Sequence, residues 1–250
     1  MSGAAVPVPR VVRLLADPVR WRLVQELAGG DRRVRELVAA LGEPQSLVSY
    51  HLRQLRDGGL VTSRRSSLDA RDSYYSLDLA GCEMALSAAA AAVHPGLTLT
   101  PGPPAGGEHE PGRRVLFVCT GNSGRSPMAQ ALLARRAGAS VRAASAGTHP
   151  KPLHPDAVAV MRDRYRVDIS GHRPVDVGSL AAQPFDCVIS LCDKAREACP
   201  EFAGAPRRVH WSLPDPASGE GGLAGYAAFE RVATELDARI QFLLPALAVP

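Results

Sequence analysis

The residues best placed to do chemistry stand together at Cys119-Thr120-Gly121-Asn122-Ser123-Gly124-Arg125. Val115 to Val118 in front is a short continuous apolar run, suited to a buried parallel strand. Behind, Ser126-Pro127 reads as a helix start, with Met128, Leu132 and Leu133 on one face. A strand, a glycine-containing loop and a helix N-terminus together aim backbone N–H groups at one point, which makes an anion cradle. Thr120, Gly121, Asn122, Ser123, Gly124 and Ser126 supply that cradle, and the Arg125 guanidinium can hold two oxygens of a tetrahedral oxyanion. Cys119 sits at the strand end inside this positive field, which favours the thiolate, the nucleophilic form. The Ser126 hydroxyl can hydrogen-bond that sulfur, and Asn122 can fix the loop's shape. Cys-x5-Arg alone also arises by chance in an ordinary strand-to-helix turn; the strand before it and the helix start after it argue for the anion site.

The remaining cysteines are 82, 187, 192 and 199. Phe185 to Leu191 is another apolar run, and Cys192 and Cys199 follow it. A spacing of seven suits zinc poorly, because zinc pairs are closer and need two further ligands. The two suit a thiol relay, one thiol near the active site and the other on a segment that can approach it. The alternative is two small buried residues. Cys187 falls inside the strand and reads as core. Cys82, a lone thiol, reads first as a small hydrophobe. No metal set and no tightly bound cofactor are expected.

These residues must be positioned by a chain of 250 residues, enough for two small domains. Hydrophobic residues make up 46% and charged residues 22%, which excludes a disordered or fibrous chain. No stretch approaches a membrane span, and Met1 to Arg10 lacks the apolar centre of a signal peptide, so a cytoplasmic protein without thiol crosslinks is expected. The net charge is +4: +2 over residues 1–95 (12 basic, 10 acidic), +4 over 113–250 (17 basic, 13 acidic) and −2 from Glu108 and Glu110 between them, too even to name a partner. Only Lys151 and Lys194 among the 29 basic residues are lysine. Four prolines between 101 and 111 mark residues 96–112 as an extended linker. It separates a domain at 1–95 from one at 113–250.

The first domain reads as helices followed by a β-hairpin. Asp17-Pro18 opens a helix that Gly29-Gly30 ends; Val34, Leu37, Val38 and Leu41 form a short stripe stopped at Gly42; Pro44 opens a helix burying Val48, Leu52 and Leu55. Leu60 to Thr62 and Tyr74 to Leu77 pair across a polar turn, and an alanine-rich helix covers about 81–94. This order is a winged helix-turn-helix. Gln45, Ser46, Ser49, Tyr50 and Arg53 lie on the helix face away from the core and suit base edges. Arg64, Arg65 and Arg71 in the hairpin suit phosphates. A solvated polar face is the alternative, and the element order favours DNA.

The stretch LADPVRWRLVQELAGG to RDSYYSLD resembles the ArsR-type repressors over about residues 10–90. The resemblance implies a homodimer on operator DNA, released by a metal or metalloid. The founding arsenic sensors carry a cysteine pair in the helix before the recognition helix; here it reads Arg35-Glu36-Leu37-Val38-Ala39-Ala40, without a thiol.

Residues 113–245 resemble the low-molecular-weight tyrosine phosphatase superfamily, through the Cys119 loop, Ala144-Ser145-Ala146-Gly147-Thr148 after the second strand, and Asp215-Pro216. That implies a doubly wound parallel four-stranded α/β sheet with the site at the strands' carboxyl ends. The superfamily holds phosphatases and thioredoxin-coupled arsenate reductases. Cys192-Asp193-Lys194-Ala195-Arg196-Glu197-Ala198-Cys199-Pro200 and Val209-His210-Trp211-Ser212-Leu213-Pro214-Asp215-Pro216 resemble the reductase branch. The implied roles are Cys119 as nucleophile, Arg125 as oxyanion clamp, Asp215 as general acid, and Cys192 and Cys199 as a relay emptied by thioredoxin. Gly124 departs from both branches, where a cysteine is common. Ser126-Pro127 looks phosphatase-like, but Ala217 stands where phosphatases carry an aromatic, and 148–156 holds none to stack on a phenol. A phosphatase fused to a regulator, and a non-enzymatic arsenic or oxyanion sensor, remain the rival readings.

Overall fold

The computed structural model describes residues 7–97, 112–204, 206–219 and 224–248. It divides into two compact units, one of residues 1–65 and 70–102 and the other of residues 66–69 and 103–250. The expected linker at 96–112 lies almost entirely outside the described residues.

The N-terminal unit contains α1 (Arg10–Leu15), α2 (Pro18–Ala28), β1 (Arg32–Arg33), α3 (Val34–Leu41), α4 (Gln45–Asp57), β2 (Val61–Arg65), β3 (Ser73–Leu77) and α5 (Leu79–Val93). Asp17 caps α2, its carboxylate accepting from the N–H groups of Val19 and Arg20 at 3.0 Å each. Leu23, Leu27, Leu37, Leu41, Val48, Leu52 and Leu55 form the core. The hairpin pairs antiparallel, from Val61 with Leu77 to Arg65 with Ser73. One strand departs from the sequence expectation: β1 adds to the hairpin's other edge, Arg32 opposite Tyr75 and Arg33 opposite Tyr74, in the order β1-β3-β2. Two arginines carry no alternation to read; β3 supplies their partners. The last helix also starts two residues early, because Asp78 caps it by accepting from Gly81 N–H at 2.8 Å.

The C-terminal unit contains β4 (Arg113–Cys119), α6 (Arg125–Ala137), β5 (Val141–Gly147), α7 (Pro155–Tyr165), β6 (Cys187–Ser190), α8 (Asp193–Ala198), β7 (Arg207–His210) and α9 (Gly225–Ala248). The four strands are all parallel, in the order β5-β4-β6-β7. Val115 to Val118 are fully buried, as are Met128, Leu132 and Leu133 of α6, against which α9 packs Phe229, Val232, Ala233 and Leu236. The Ala144–Gly147 run ends β5 rather than following it; small residues there let Gly147 pair with Cys119. From β4 the chain steps one way to β5, then crosses back to β6 and β7. The order therefore reverses between β4 and β6, and a crevice opens at their carboxyl ends. Cys119 ends β4 and Cys192 follows β6 by two residues, so topology alone brings the two thiols to one place.

Candidate active site

The loop from Thr120 to Gly124 is held from outside by its carbonyls. Thr148 N–H donates to Cys119 O at 3.1 Å, and His149, Lys151 and His154 donate to Thr120, Gly121 and Ser123 oxygens at 2.8 Å each. This stitching turns the loop's amide edge towards the thiol, where Asn122 N–H donates to Cys119 Sγ at 3.2 Å. The Ser126 hydroxyl lies 3.1 Å from the same sulfur. Cys119 is only 2% exposed.

Asn122 is fully buried and adopts φ 47°, a left-handed conformation that asparagine tolerates better than most residues. Its Nδ2 donates to Ser126 Oγ and Ser145 Oγ at 2.9 Å each, and its Oδ1 accepts from Val175 N–H at 2.8 Å with His172 Nε2 at 3.1 Å. Ser145 in turn donates to Gln130 Oε1 at 2.7 Å. Burial holds the His172 imidazole below the usual histidine range, offset in part by its bond to Asn122. At Gly147 a Cβ would stand 2.8 Å from Asn122 N and Thr120 O, so only glycine lets β5 approach the loop this closely.

Arg125 is the first residue of α6 and is 7% exposed. One terminal nitrogen donates to Leu213 O at 3.3 Å, and the other lies 3.5 Å from Asp215 Oδ2. The Asp215 side chain is 47% exposed, open enough to meet a bound oxyanion.

Cys192 is 2% exposed, with its sulfur 3.3 Å from Thr120 Oγ1, against the loop that carries Cys119. All five cysteines are free thiols. Cys199 is half-buried just beyond α8, its thiol pushed up by burial against the opposing pull of the Arg208 guanidinium. Cys187 is buried in β6 and its thiol is raised to about 11, chiefly by burial, as a core residue should be. Asp193, the first residue of α8 and 1% exposed, accepts from Ser212 Oγ at 2.7 Å and faces His210 Nε2 at 3.2 Å; His210 Nδ1 lies 2.9 Å from Ser190 Oγ. This buried chain fixes the α8 end next to Cys192.

Cys119, Thr120, Arg125, Cys192 and Asp215 line one cleft; Cys199 does not reach it. Residues that the sequence reading did not place in the site also line it, among them Lys151, His154, Lys194 and Phe229. His154 and Phe229 stack with ring centroids 4.4 Å apart. No short-range pattern could reveal Phe229, which arrives from α9. A Cβ on Gly124 would stand 2.9 Å from its ring, so glycine at 124 and phenylalanine at 229 are fitted to each other. With 1% exposure, Phe229 covers the loop rather than offering a face to a phenol.

In the N-terminal unit, Gln45, Ser46, Tyr50 and Arg53 are exposed on α4 and Ser49 is half-buried beside them, opposite buried Val48, Leu52 and Leu55. Arg64 and Arg65 lie on β2 and Arg71 in the turn, Arg65 donating to Ala70 O at 2.6 Å. Cys82 donates to Leu60 O at 3.5 Å, and burial raises its thiol to about 11. Among the described residues no three His, Cys, Asp or Glu side chains gather as a metal set.

Residues 114–249 match the low molecular weight phosphotyrosine protein phosphatase family, and residues 17–63 match the arsR family of bacterial regulatory proteins. The chain belongs to the first of these families, with an arsR-type helix-turn-helix ahead of the phosphatase-like unit. An arsenate reductase of Halalkalibacterium halodurans is 35% identical over 128 residues, covering 51% of this chain and 91% of the relative. One from Bacillus subtilis is 34% identical over 128 residues, again 51% and 91%. Among solved structures, the arsenate reductase of Archaeoglobus fulgidus is 26% identical with a TM-score of 0.43, covering 52% of this chain and 98% of that one.

Proposed function

We propose that the chain is an arsenate reductase fused to an arsR-type DNA-binding regulator, working in arsenic resistance. The observation that carries this reading is the placement of a second thiol, Cys192, against the Cys119 loop, with a third, Cys199, one short helix away. A phosphatase of this fold needs only the first.

Arsenate sits on the loop amides of residues 120–126 and the Arg125 fork. The Cys119 thiolate attacks arsenic, an As–S bond forms, and the expelled oxygen leaves as water with a proton from Asp215. Cys192 then attacks Cys119 Sγ. The S–S bond forms as the As–S bond breaks, and its electron pair stays on arsenic, which leaves as arsenite. Two thiols are oxidised and As(V) becomes As(III). Cys199 attacks Cys192, frees Cys119, and leaves a Cys192–Cys199 disulfide that thioredoxin reduces by thiol–disulfide exchange. No tightly bound cofactor is assigned.

That last bond requires motion. Seven residues of helix span about 10 Å, whereas disulfide Cα atoms stand about 4.4–6.8 Å apart. α8 must therefore unwind, while the Asp193 anchor keeps Cys192 at the loop.

In the N-terminal unit, α4 reads the major groove through Gln45, Ser46, Ser49, Tyr50 and Arg53, and Arg64 and Arg65 hold phosphates. Exposed apolar residues on α1 (Val12, 45%) and α5 (Met84, 70%; Val93, 78%) give a second copy a face to cover, so we assign a homodimer. The functional division is 1–95 for DNA and 113–250 for catalysis. No helix among the described residues is long and apolar enough to cross a membrane, and the thiol chemistry suits a reducing compartment, so the assignment is cytoplasmic.

The loop alone does not distinguish arsenate from phosphate, so slow phosphatase activity accompanies reduction. Purified protein should reduce arsenate over many turnovers with thioredoxin, and Cys192→Ser should stop this while sparing aryl phosphate hydrolysis. An efficient aryl phosphatase without arsenate reduction would favour the phosphatase reading.

A further inference from the structure

The sequence holds 29 basic residues and only two are lysine, Lys151 and Lys194. Both line the active cleft. Lys151 follows β5 and Lys194 lies in α8 after β6, and β5 and β6 flank β4 on opposite sides. Lys151 is pinned by its own N–H, which donates to Gly121 O at 2.8 Å. Lys194 is the second residue of α8, between the buried Asp193 and the rest of the helix, and two positions from Cys192. Both side chains are exposed. With Arg125 they set three cations against Asp215, the single carboxylate lining the cleft among the described residues.

Arginine and lysine differ in what they do to an oxyanion. A guanidinium offers a rigid two-pronged seat, whereas an ammonium is a compact, strongly hydrated point charge on a flexible stem. A second arginine at the cleft mouth would compete with the loop and Arg125 for the same oxygens. A lysine attracts the anion without building a rival seat. Low-dielectric walls around such a cleft focus the field and raise the local anion concentration.

We infer that Lys151 and Lys194 form a cationic rim that captures tetrahedral dianions and delivers them to the Cys119 loop. This rests on reading that loop as an oxyanion seat, but not on the redox steps that follow. A charge one side-chain length from a dianion in water changes its affinity by about three- to tenfold, and salt screens the effect.

The test is calorimetric titration of the reduced full-length chain with inorganic phosphate, at about 10 mM and about 1 M salt, where the Debye length is about 30 Å and about 3 Å. The Lys151→Gln/Lys194→Gln double variant should bind phosphate about tenfold more weakly than the parent at low salt and nearly equally at high salt. The Lys151→Arg/Lys194→Arg variant keeps the charge and adds two guanidinium seats, so it should bind phosphate at least as tightly as the parent at low salt. Unchanged low-salt affinity in the glutamine variant would overturn the inference, as would an equal loss at both salts, which marks a direct contact or a damaged loop. A parent chain that binds phosphate with this salt dependence, yet reduces no arsenate, would refute the reductase reading and leave the rim standing.

Discussion

At the scale of single residues, the site depends on a few side chains whose surroundings leave little freedom. Cys119 is reached by one amide and one hydroxyl, and both are placed by Asn122. Replacing Asn122 with alanine removes the acceptor for Val175 N–H and a donor to both Ser126 and Ser145, and leaves those partners buried. We expect that variant to lose about 2 kcal/mol or more of stability in urea unfolding, with a fall of at least tenfold in arsenate reduction. A pH effect follows from His172. Its folded-state affinity for a proton is depressed, so its contribution to stability is complete above the unfolded value of about 6.5 and is lost as pH falls through the lower folded value. The unfolding midpoint should drop as pH falls below about 6.5. His172→Gln should flatten that part of the drop while keeping a donor to Asn122 Oδ1.

At the scale of elements, the proposed relay requires α8 to change. It is six residues long, too short to be stable alone, and it lies between Cys192 and Cys199. Ala198 is exposed in its last turn, and Ala198→Gly should cost the helix about 1 kcal/mol. If α8 unwinds before Cys199 reacts, that variant should speed formation of the Cys192–Cys199 disulfide by up to about fivefold, read by quench and mass spectrometry. An unchanged rate would mean that unwinding does not limit the exchange. The elements themselves were largely legible in the sequence, because apolar periodicity and glycine stops are strong where helices and buried strands are regular. The loop's geometry was legible for the same reason: Cys119, Arg125 and the intervening glycines are local. What escaped was non-local or patternless. β1 exists only through its pairing with β3, and Phe229 reaches the loop from about a hundred residues away in sequence. The Asp193–His210–Ser190 chain joins three elements whose polar residues carry no shared spacing.

At the scale of the whole molecule, one chain carries a reader of DNA and a site for an oxyanion. The two surfaces make separate predictions. Arg53→Ala on α4 should cost operator affinity about five- to a hundredfold and relax discrimination between sequences. Arg64→Ala should weaken specific and non-specific DNA alike and lower the salt dependence. Filter-binding or anisotropy titrations across salt concentrations distinguish the two. Met84→Glu on the exposed face of α5 should shift sedimentation from dimer to monomer and weaken operator binding. None of these three changes should touch turnover at Cys119.

The central claim is that the three cysteines act in sequence on arsenate. The most direct measurement is arsenate-dependent NADPH oxidation by the full chain, coupled to thioredoxin and thioredoxin reductase. A cysteine relay requires steady turnover by the parent protein, none by Cys192→Ser, and intact slow aryl phosphate hydrolysis by that same variant. Undiminished arsenate reduction in Cys192→Ser, with the coupling enzymes shown to be active, would contradict it.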